Sequence, residues 1–301
     1  MNPTISHFKA ICYAIAGFTS FVLCDSLIKR VGHSRLPNYE IVAFLGLFMS
    51  GFIVLYAVWQ RSLKGLWPRR PARLLIRGLL DVGNNLCVVI ALRHLSLTLF
   101  YTLVFTSPML VAILGRIFLN ELLDWRKVGA ILLGFLGVVI AVYPSRSSGS
   151  NAWVGVAACA VCVSCFSVVI VWSRVIAQQE SPESMTFFSG LVAAGAGLIG
   201  MLFYAAPLTA GMLGALAGMG LLGAVGSIWM FIALRSTTAA TVSQYHYSQL
   251  VSGALVAYLF FDEVPTVWML AGAVLIIASG LYIGVRKQRE PGRVPLAPYT
   301  L

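Results

Sequence analysis

The sequence predicts an all-α membrane protein in which ten transmembrane helices form two inverted five-helix repeats. Three observations lead to this prediction. Of the 301 residues, 59% are hydrophobic and only 10% are charged, whereas soluble domains carry about a quarter charged residues. Apolar stretches of about 20 residues, the length that crosses a bilayer as a helix, recur along the chain. The second half of the chain also repeats residues of the first half at a constant spacing.

Ten apolar stretches are long enough to be predicted as membrane spans. They cover residues 8–28, 39–59, 74–92, 97–119, 126–143, 152–173, 184–205, 212–234, 238–260 and 266–285. The segments between them carry turn residues or charge, as in 66–71 and 262–265. The first stretch lacks a small-residue cleavage site, and we therefore interpret it as an uncleaved span rather than a signal peptide.

The net charge of +11 is best explained by membrane topology, and nucleic acid is not expected as a partner. If the N-terminus is inside, most of the Lys and Arg residues fall on inner segments. Five basic residues would lie outside, and three of them, Lys29, Arg30 and Arg35, follow the first span. Because basic residues collect on the cytoplasmic side and face anionic lipid, both termini are predicted to be cytoplasmic. The predicted location is the bacterial inner membrane.

An internal repeat divides the chain into two similar halves. Segments 91–93 and 233–235 both read Ala-Leu-Arg, and a glutamate follows each arginine at the same distance, Glu121 and Glu263. We predict a first repeat over 1–144, a second over 145–286, and a basic cytoplasmic tail over 287–301. Five spans per half would insert the second copy upside down, which is the architecture of alternating-access transporters.

The repeated segments resemble a known family. They read Ala-Leu-Arg-His-Leu at 91–95, Phe-Thr-Ser-Pro at 105–108, Phe-Leu-Asn-Glu at 118–121, Tyr-His-Tyr-Ser-Gln-Leu at 245–250 and Phe-Phe-Asp-Glu-Val-Pro at 260–265. They are similar to the EamA repeats of the drug/metabolite transporter (DMT) superfamily over about 8–286. This resemblance implies ten helices in two inverted repeats and secondary transport of a small molecule. Some members export amino acids or metallophores, and others take up riboflavin, S-adenosylmethionine or sugars. The 245–250 segment is most similar to the S-adenosylmethionine and riboflavin branch.

The third predicted span carries a polar cluster. Asp81, Asn84 and Asn85 share one helix face, and Arg77 lies one turn before Asp81. Polar groups at membrane depth are costly and tend to mark a cavity or pathway. Two interpretations remain open: an Arg77–Asp81 pair with two structural amides, or a cavity wall in which Asp81 is the proton or cation partner of a zwitterionic substrate.

The ninth predicted span carries a polar stripe, formed by Thr241, Tyr245, Ser248, Gln249 and Ser252. We expect Tyr245 and Gln249 to line a cavity, with interhelical hydrogen bonding as the alternative. His246 faces about 100° away from Tyr245. It is expected to be a structural hydrogen-bonding group, with proton relay as the second possibility.

Two further spans contribute candidates. Tyr101 in the fourth span is expected to contact substrate or to pack against lipid, and Pro108 should kink this helix. Asp25 in the first span has Lys29 four residues later, which predicts a local ion pair near the outer interface. Asp25 is also a candidate for proton coupling, together with Asp81 and His246.

Other motifs point to no cofactor, no metal and no catalytic site. The six cysteines all lie in apolar stretches, and the Cys159, Cys162 and Cys165 series is interpreted as packed thiols. Segment 218–223 matches the dinucleotide pattern G-x-G-x-x-G, but it lies inside a span and is interpreted as a small-residue packing strip.

The sequence therefore favours an inner-membrane secondary transporter with a small-molecule substrate and membrane lipid as its partners. Export of an amino acid or an amino-acid-derived compound, such as a metallophore, is the first expectation. Uptake of riboflavin, S-adenosylmethionine or a similar metabolite is the alternative. The second alternative is a non-transporting membrane protein or an intramembrane enzyme.

Overall fold

The computed structural model describes residues 7–32, 34, 36–119, 125–142, 152–176, 179–236, 242 and 245–288. These residues form eleven α-helices and one short 3-10 helix, with no strand among them. The helices are α1 (His7–Gly32), α2 (Asn38–Trp59), α3 (Pro71–His94), α4 (Leu97–Val104), α5 (Ser107–Leu119), α6 (Trp125–Val142), α7 (Ala152–Ile176), α8 (Pro182–Met201), α9 (Ala210–Ser236), α10 (Ser248–Phe261) and α11 (Val267–Gln288), and the 3-10 helix is Leu63–Leu66. Glu121, Thr241 and the tail after residue 288 lie outside the described residues.

The helices have the length and composition of membrane spans. Six are long and apolar enough to cross a bilayer, and four further apolar helical segments are shorter. Each of these segments overlaps one of the ten predicted spans, although several extend beyond the predicted bounds by a few residues. Large apolar side chains are exposed on the outside of the bundle, among them Leu55, Val139 and Val251. Such a surface is stable against lipid rather than water, and the prediction of an all-α, multi-pass integral membrane protein is confirmed.

Local sequence signals explain where several helices begin and end. Ser96 caps α4 by accepting a hydrogen bond from the Leu99 amide at 3.1 Å. Ser181 caps α8 in the same way, and Pro182 follows in the first turn, where a missing N–H costs nothing. At the other end of a helix, α10 stops at Asp262, whose left-handed backbone (φ 52°) is tolerated by a short polar residue.

The fourth and ninth predicted spans are each interrupted in the middle. The fourth divides into α4 and α5 at Phe105 and Thr106. Pro108 has no N–H to bond the carbonyl one turn earlier, so the predicted kink is a complete break just before the proline. In the ninth span, residues 246–247 form a turn before α10 begins. Phe105 and Tyr247 are separated by the same number of residues as Arg93 and Arg235, so the two interruptions are equivalent in the repeat.

Helices of one half pack mainly on helices of the other half. The principal pairs are α1 with α9, α3 with α7, α2 with α8, α6 with α11, and α4 with α10. Glycines allow several of these close crossings, because an added Cβ would collide with the partner backbone. Gly17 meets Gly226, Gly46 meets Gly190, and Gly137 meets Gly272. In segment 218–223, Gly218 and Gly220 pack against side chains of α1 and α2, which agrees with the packing interpretation of this strip.

Candidate functional site

A cavity of about 160 Å³ lies at the centre of the bundle, between helices of both halves. Most of its wall is apolar, with a small number of polar side chains, as is typical of ligand pockets. Seven of the predicted site residues line it: Asp25, Asp81, Asn84, Asn85, Tyr101, His246 and Gln249. Arg77, Ser173 and Ser189 line it as well. From the sequence, Arg77 is expected only as a partner of Asp81, and neither serine is predicted to be a site residue.

Asp25 lies about two turns before the end of α1, in contact with Tyr101. The Tyr101 hydroxyl donates a hydrogen bond to Asp25 Oδ2 at 3.0 Å, and Tyr101 itself is buried. The predicted ion pair between Asp25 and Lys29 is wrong, because Lys29 bonds to Glu263 instead. Among the described residues the Asp25 carboxyl group has no cationic partner, and it lines the cavity.

Arg77 lies about two turns into α3, at the other end of the cavity from Asp25. Its guanidinium bonds to Asp81 Oδ2 at 3.1 Å, so the predicted pair is present. It also donates from Nε to Ser173 Oγ at 2.7 Å and from NH1 to Ser189 Oγ. The Phe231 ring lies 4.8 Å from the guanidinium carbon. Contacts from α7, α8 and α9 therefore hold this buried cation in one orientation.

His246 and Gln249 lie at the interruption of the ninth span. His246 Nδ1 is 2.9 Å from Ser107 Oγ, at the equivalent interruption in the first half, and its ring stacks on Phe18. Gln249 donates from Nε2 to the Phe18 carbonyl at 3.1 Å. Its Oε1 is buried and has no hydrogen-bond partner among the described residues. An acceptor of this kind is suited to a ligand N–H or O–H group.

Tyr245 and Pro108 are the predicted site residues that do not line the cavity. Tyr245 packs against an apolar cluster that includes Phe18 and Met230. The helical wheel that placed Tyr245 and Gln249 on one face assumed an unbroken helix, and the turn at 246–247 changes that relation. The Phe-Thr-Ser-Pro segment of the first half occupies the equivalent position and is the sequence signal from which this turn could have been predicted.

A second ion pair lies at the end of the bundle where α1 ends. We call this end of the bundle the Lys29 end. Lys29 is buried and bonds to Glu263, and it donates to the Leu95 carbonyl at 3.3 Å. Glu263 Oε2 accepts a hydrogen bond from the Leu97 amide at 2.8 Å. The pair thus joins the end of α1, the start of α4 and the segment after α10. From the sequence, Glu263 is identified only as a residue repeated between the two halves.

Among the described residues, the charged side chains that line the cavity are Asp25, Arg77 and Asp81. Since Arg77 and Asp81 neutralise each other, an ionised Asp25 leaves the lining with one net negative charge. The described residues contain no cluster of three or more side chains able to hold a metal ion. The arrangement is suited to a small, polar ligand with an excess positive charge.

Comparison with known sequences places this architecture among membrane transporters. The profile of the EamA-like transporter family matches residues 8–143 and 153–285. The chain is 29% identical over 298 residues to an S-adenosylmethionine uptake transporter of Rickettsia felis, covering 97% of this chain and 98% of that protein. It is 24% identical to the pseudopaline exporter CntI of Pseudomonas aeruginosa, covering 91% and 95% of the two chains. A riboflavin transporter of Rhizobium johnstonii is 29% identical over 63% of each chain.

The fold is also shared with a protein of known structure. A crystal structure superposes with a TM-score of 0.67, covering 93% of this chain and 99% of the other at 18% identity. The family profile matches each half of the chain separately, as the internal repeat predicts. The chain belongs to the EamA-like transporter family and is a membrane transporter.

Proposed function

We propose that this transporter takes up an amino-acid-derived metabolite with a net positive charge, S-adenosylmethionine being the leading candidate, by alternating access. Uptake was the alternative in the sequence analysis, where export ranked first. Two observations favour the reversal. The S-adenosylmethionine uptake transporter matches more of the chain at higher identity than the pseudopaline exporter does. The cavity lining also holds two carboxyl groups, Asp25 and Asp81, against one guanidinium, Arg77.

The observation that carries the proposal is the Asp25 carboxylate, which faces the cavity without a cationic partner among the described residues. A charge inside a protein is stabilised only when an opposite charge or hydrogen bonds compensate it. S-adenosylmethionine carries a sulfonium, an ammonium and a carboxylate, and is therefore a net monocation at neutral pH. A cavity with one unbalanced carboxylate complements that charge, whereas it would repel a metallophore rich in carboxylates.

We also propose that ten spans form two inverted repeats, 1–144 and 145–286. Helices of one half pack on helices of the other half, as α1 does on α9 and α3 does on α7, and this pairing supports the arrangement. The equivalent interruptions of the fourth and ninth spans support it too, because paired broken helices accompany binding sites in inverted-repeat transporters. The basic tail over 287–301 and both termini would then lie in the cytoplasm of the bacterial inner membrane, with the Lys29 end outside.

Within the cavity, we assign substrate contact to Asp25, Asp81, Asn84, Asn85, Tyr101 and Gln249. Tyr245 is left out of this set because it does not line the cavity. Asp25 is the first candidate for proton binding, because a carboxyl group without a cationic partner can hold a proton when no cationic substrate is bound. Pro108 would allow α5 to tilt relative to α4. We assign transport rather than catalysis to this site.

Flux in proteoliposomes tests the proposal. We expect radiolabelled S-adenosylmethionine to enter vesicles that contain the wild-type protein. Asp25→Asn should reduce uptake at low substrate concentration by about tenfold or more, because one charge-assisted contact is lost. Asp262→Asn is the matched control, since Asp262 is exposed, does not line the cavity, and has a left-handed backbone that Asn tolerates. Full uptake by Asp25→Asn would contradict the site, and absence of uptake by the wild type would contradict the substrate.

Export of an amino-acid-derived compound remains the second candidate, favoured by the similarity to the pseudopaline exporter. Comparing the metabolites of cells and medium with and without the gene distinguishes the two directions. A compound that accumulates inside the deletion strain supports export. A deletion strain that fails to accumulate added S-adenosylmethionine supports uptake.

A further inference from the structure

We propose that Arg77 and Asp81 together bind the α-amino-acid head group of the substrate, with its carboxylate against Arg77 and its ammonium against Asp81. This inference rests on the proposed transport of an amino-acid-derived compound and adds how such a compound is oriented. Arg77 was not a predicted substrate contact, and the assignment depends on its surroundings in the folded protein.

Arg77 is held in place by contacts from several helices. An i,i+4 pair with Asp81 needs residues of α3 alone. Here, Ser173 and Ser189 of the other half also accept hydrogen bonds from the guanidinium, and Phe231 covers it. A charged side chain at membrane depth is costly, and it is usually retained where it serves a pathway or a site. These contacts hold the planar guanidinium at the cavity wall, in the form that recognises carboxylates.

Asp81 retains binding capacity. Only its Oδ2 is bonded to Arg77, and among the described residues its other oxygen has no recorded hydrogen bond. The Asp81 side chain is 17% exposed, against 4% for Arg77. Asn84 lies one turn further along the same wall, and its Oδ1 accepts the Cys162 thiol at 3.2 Å. A carboxylate oxygen and a neighbouring amide thus face the cavity beside the guanidinium.

The charges of the cavity complement two separate parts of the proposed substrate. Arg77 and Asp81 form a neutral dipole, which matches an amino-acid head group that is itself a neutral dipole of opposite arrangement. The Asp25 carboxylate is nearer the Lys29 end, two turns from the end of α1, and is left for a separate positive centre. The cavity therefore selects an α-amino acid that carries a second positive charge away from its head group.

The test compares ligands that differ in the head group alone. Decarboxylated S-adenosylmethionine keeps the sulfonium and the ammonium but lacks the carboxylate. We expect it to inhibit S-adenosylmethionine uptake by the wild type at least tenfold more weakly than S-adenosylmethionine itself does. In the double variant Arg77→Gln/Asp81→Asn, which removes both charges and keeps the net charge, the difference should fall below about threefold. A double variant that keeps the full preference would overturn the assignment.

The control removes the same two charge types outside the cavity. Arg30 and Asp262 are both exposed, and Arg30→Gln/Asp262→Asn should discriminate the two ligands as the wild type does. Monodisperse elution of each variant in detergent, with a cooperative melting transition, establishes that it is folded. A single Ser173→Ala variant is expected to lose part of the discrimination, because the guanidinium keeps its charge but loses one contact that orients it.

A second pair of probes separates this inference from the choice of substrate. L-Lysine has the head group and a second positive centre, and cadaverine is the same molecule without its carboxylate. We expect L-lysine to stabilise the purified wild type against heat at lower concentrations than cadaverine does, and the double variant to lose that difference. If S-adenosylmethionine is not transported but L-lysine is preferred, the proposed substrate fails and the head-group site stands. Equal stabilisation of the wild type by both probes would overturn the head-group site.

Discussion

The two ion pairs inside the bundle differ in what surrounds them. At the Lys29 end, both members of the ion pair make further hydrogen bonds. Lys29 donates to the Leu95 carbonyl, and Glu263 accepts a hydrogen bond from the Leu97 amide. In the cavity wall, the contacts of Arg77 use only its Nε and NH1 groups, and Asp81 keeps an oxygen without a hydrogen bond among the described residues. Saturated contacts between distant segments stabilise a structure, whereas an unsaturated polar group beside a cavity is available to a ligand.

The two pairs also connect different parts of the chain. Lys29 and Glu263 belong to opposite halves, so this pair contributes directly to holding the halves together. Arg77 and Asp81 belong to one helix, and their pairing survives any movement of that helix. The comparison predicts that changes at the Lys29 end act mainly on stability, while changes in the cavity wall act mainly on substrate selection.

The largest effect is expected from breaking the pair at the Lys29 end. Glu263→Gln leaves the Lys29 ammonium buried without a counter-charge, which typically costs about 3–5 kcal/mol of unfolding free energy. The melting temperature of the purified protein should fall clearly below that of the wild type. Lys29→Met/Glu263→Gln should recover much of the loss, because it removes the unpaired charge.

Arg30→Gln is the control for that measurement. Arg30 follows Lys29 in the same helix but is exposed, and substitutions of exposed charges change stability by about 0.5 kcal/mol or less. An unchanged melting temperature for Glu263→Gln would show that the pair does not hold the halves together.

A smaller effect is expected where the halves meet without charges. An alanine Cβ at position 137 would lie 2.8 Å from the Gly272 carbonyl oxygen and 3.1 Å from Leu275 Cβ. Gly137→Ala should therefore force α6 and α11 apart and cost about 1–3 kcal/mol. Gly129→Ala in the same helix has open space around its Cβ and serves as the control. If the two variants have the same melting temperature, this crossing contributes little to the association of the halves.

The smallest effect on stability is expected in the cavity wall. Asp81→Asn leaves Arg77 bonded to Ser173 and Ser189, beside a cavity that gives access to water. The cost should be about 1.5 kcal/mol, the low end for a hydrogen bond to a charged group, because two serines and the Phe231 ring still compensate the guanidinium. The affinity for substrate should nevertheless fall, so that inhibition assays respond more than melting does. A variant that melts far below the wild type and binds substrate normally would contradict the expectation that the cavity wall acts mainly on substrate selection.

Local signals in the sequence predicted most of the fold and part of the site. Apolar length identified the spans, and the i,i+4 spacing identified the Arg77–Asp81 pair, since both are properties of a single helix. The Lys29–Glu263 pair could not be predicted in this way, because its partners lie in different halves and local spacing favoured Asp25 instead. Tyr245 was assigned to the cavity because the wheel assumed a regular helix, which the turn at 246–247 interrupts.

The central claim is that the unpaired Asp25 carboxylate selects a positively charged ligand, and one competition measurement tests it most directly. S-adenosylmethionine and S-adenosylhomocysteine differ by a methyl group and the sulfonium charge that it creates. We predict that the wild type binds the charged compound at least tenfold more tightly, and that Asp25→Asn removes most of this preference while Asp262→Asn keeps it. Equal binding of both compounds by the wild type, or an undiminished preference in Asp25→Asn, would contradict the account.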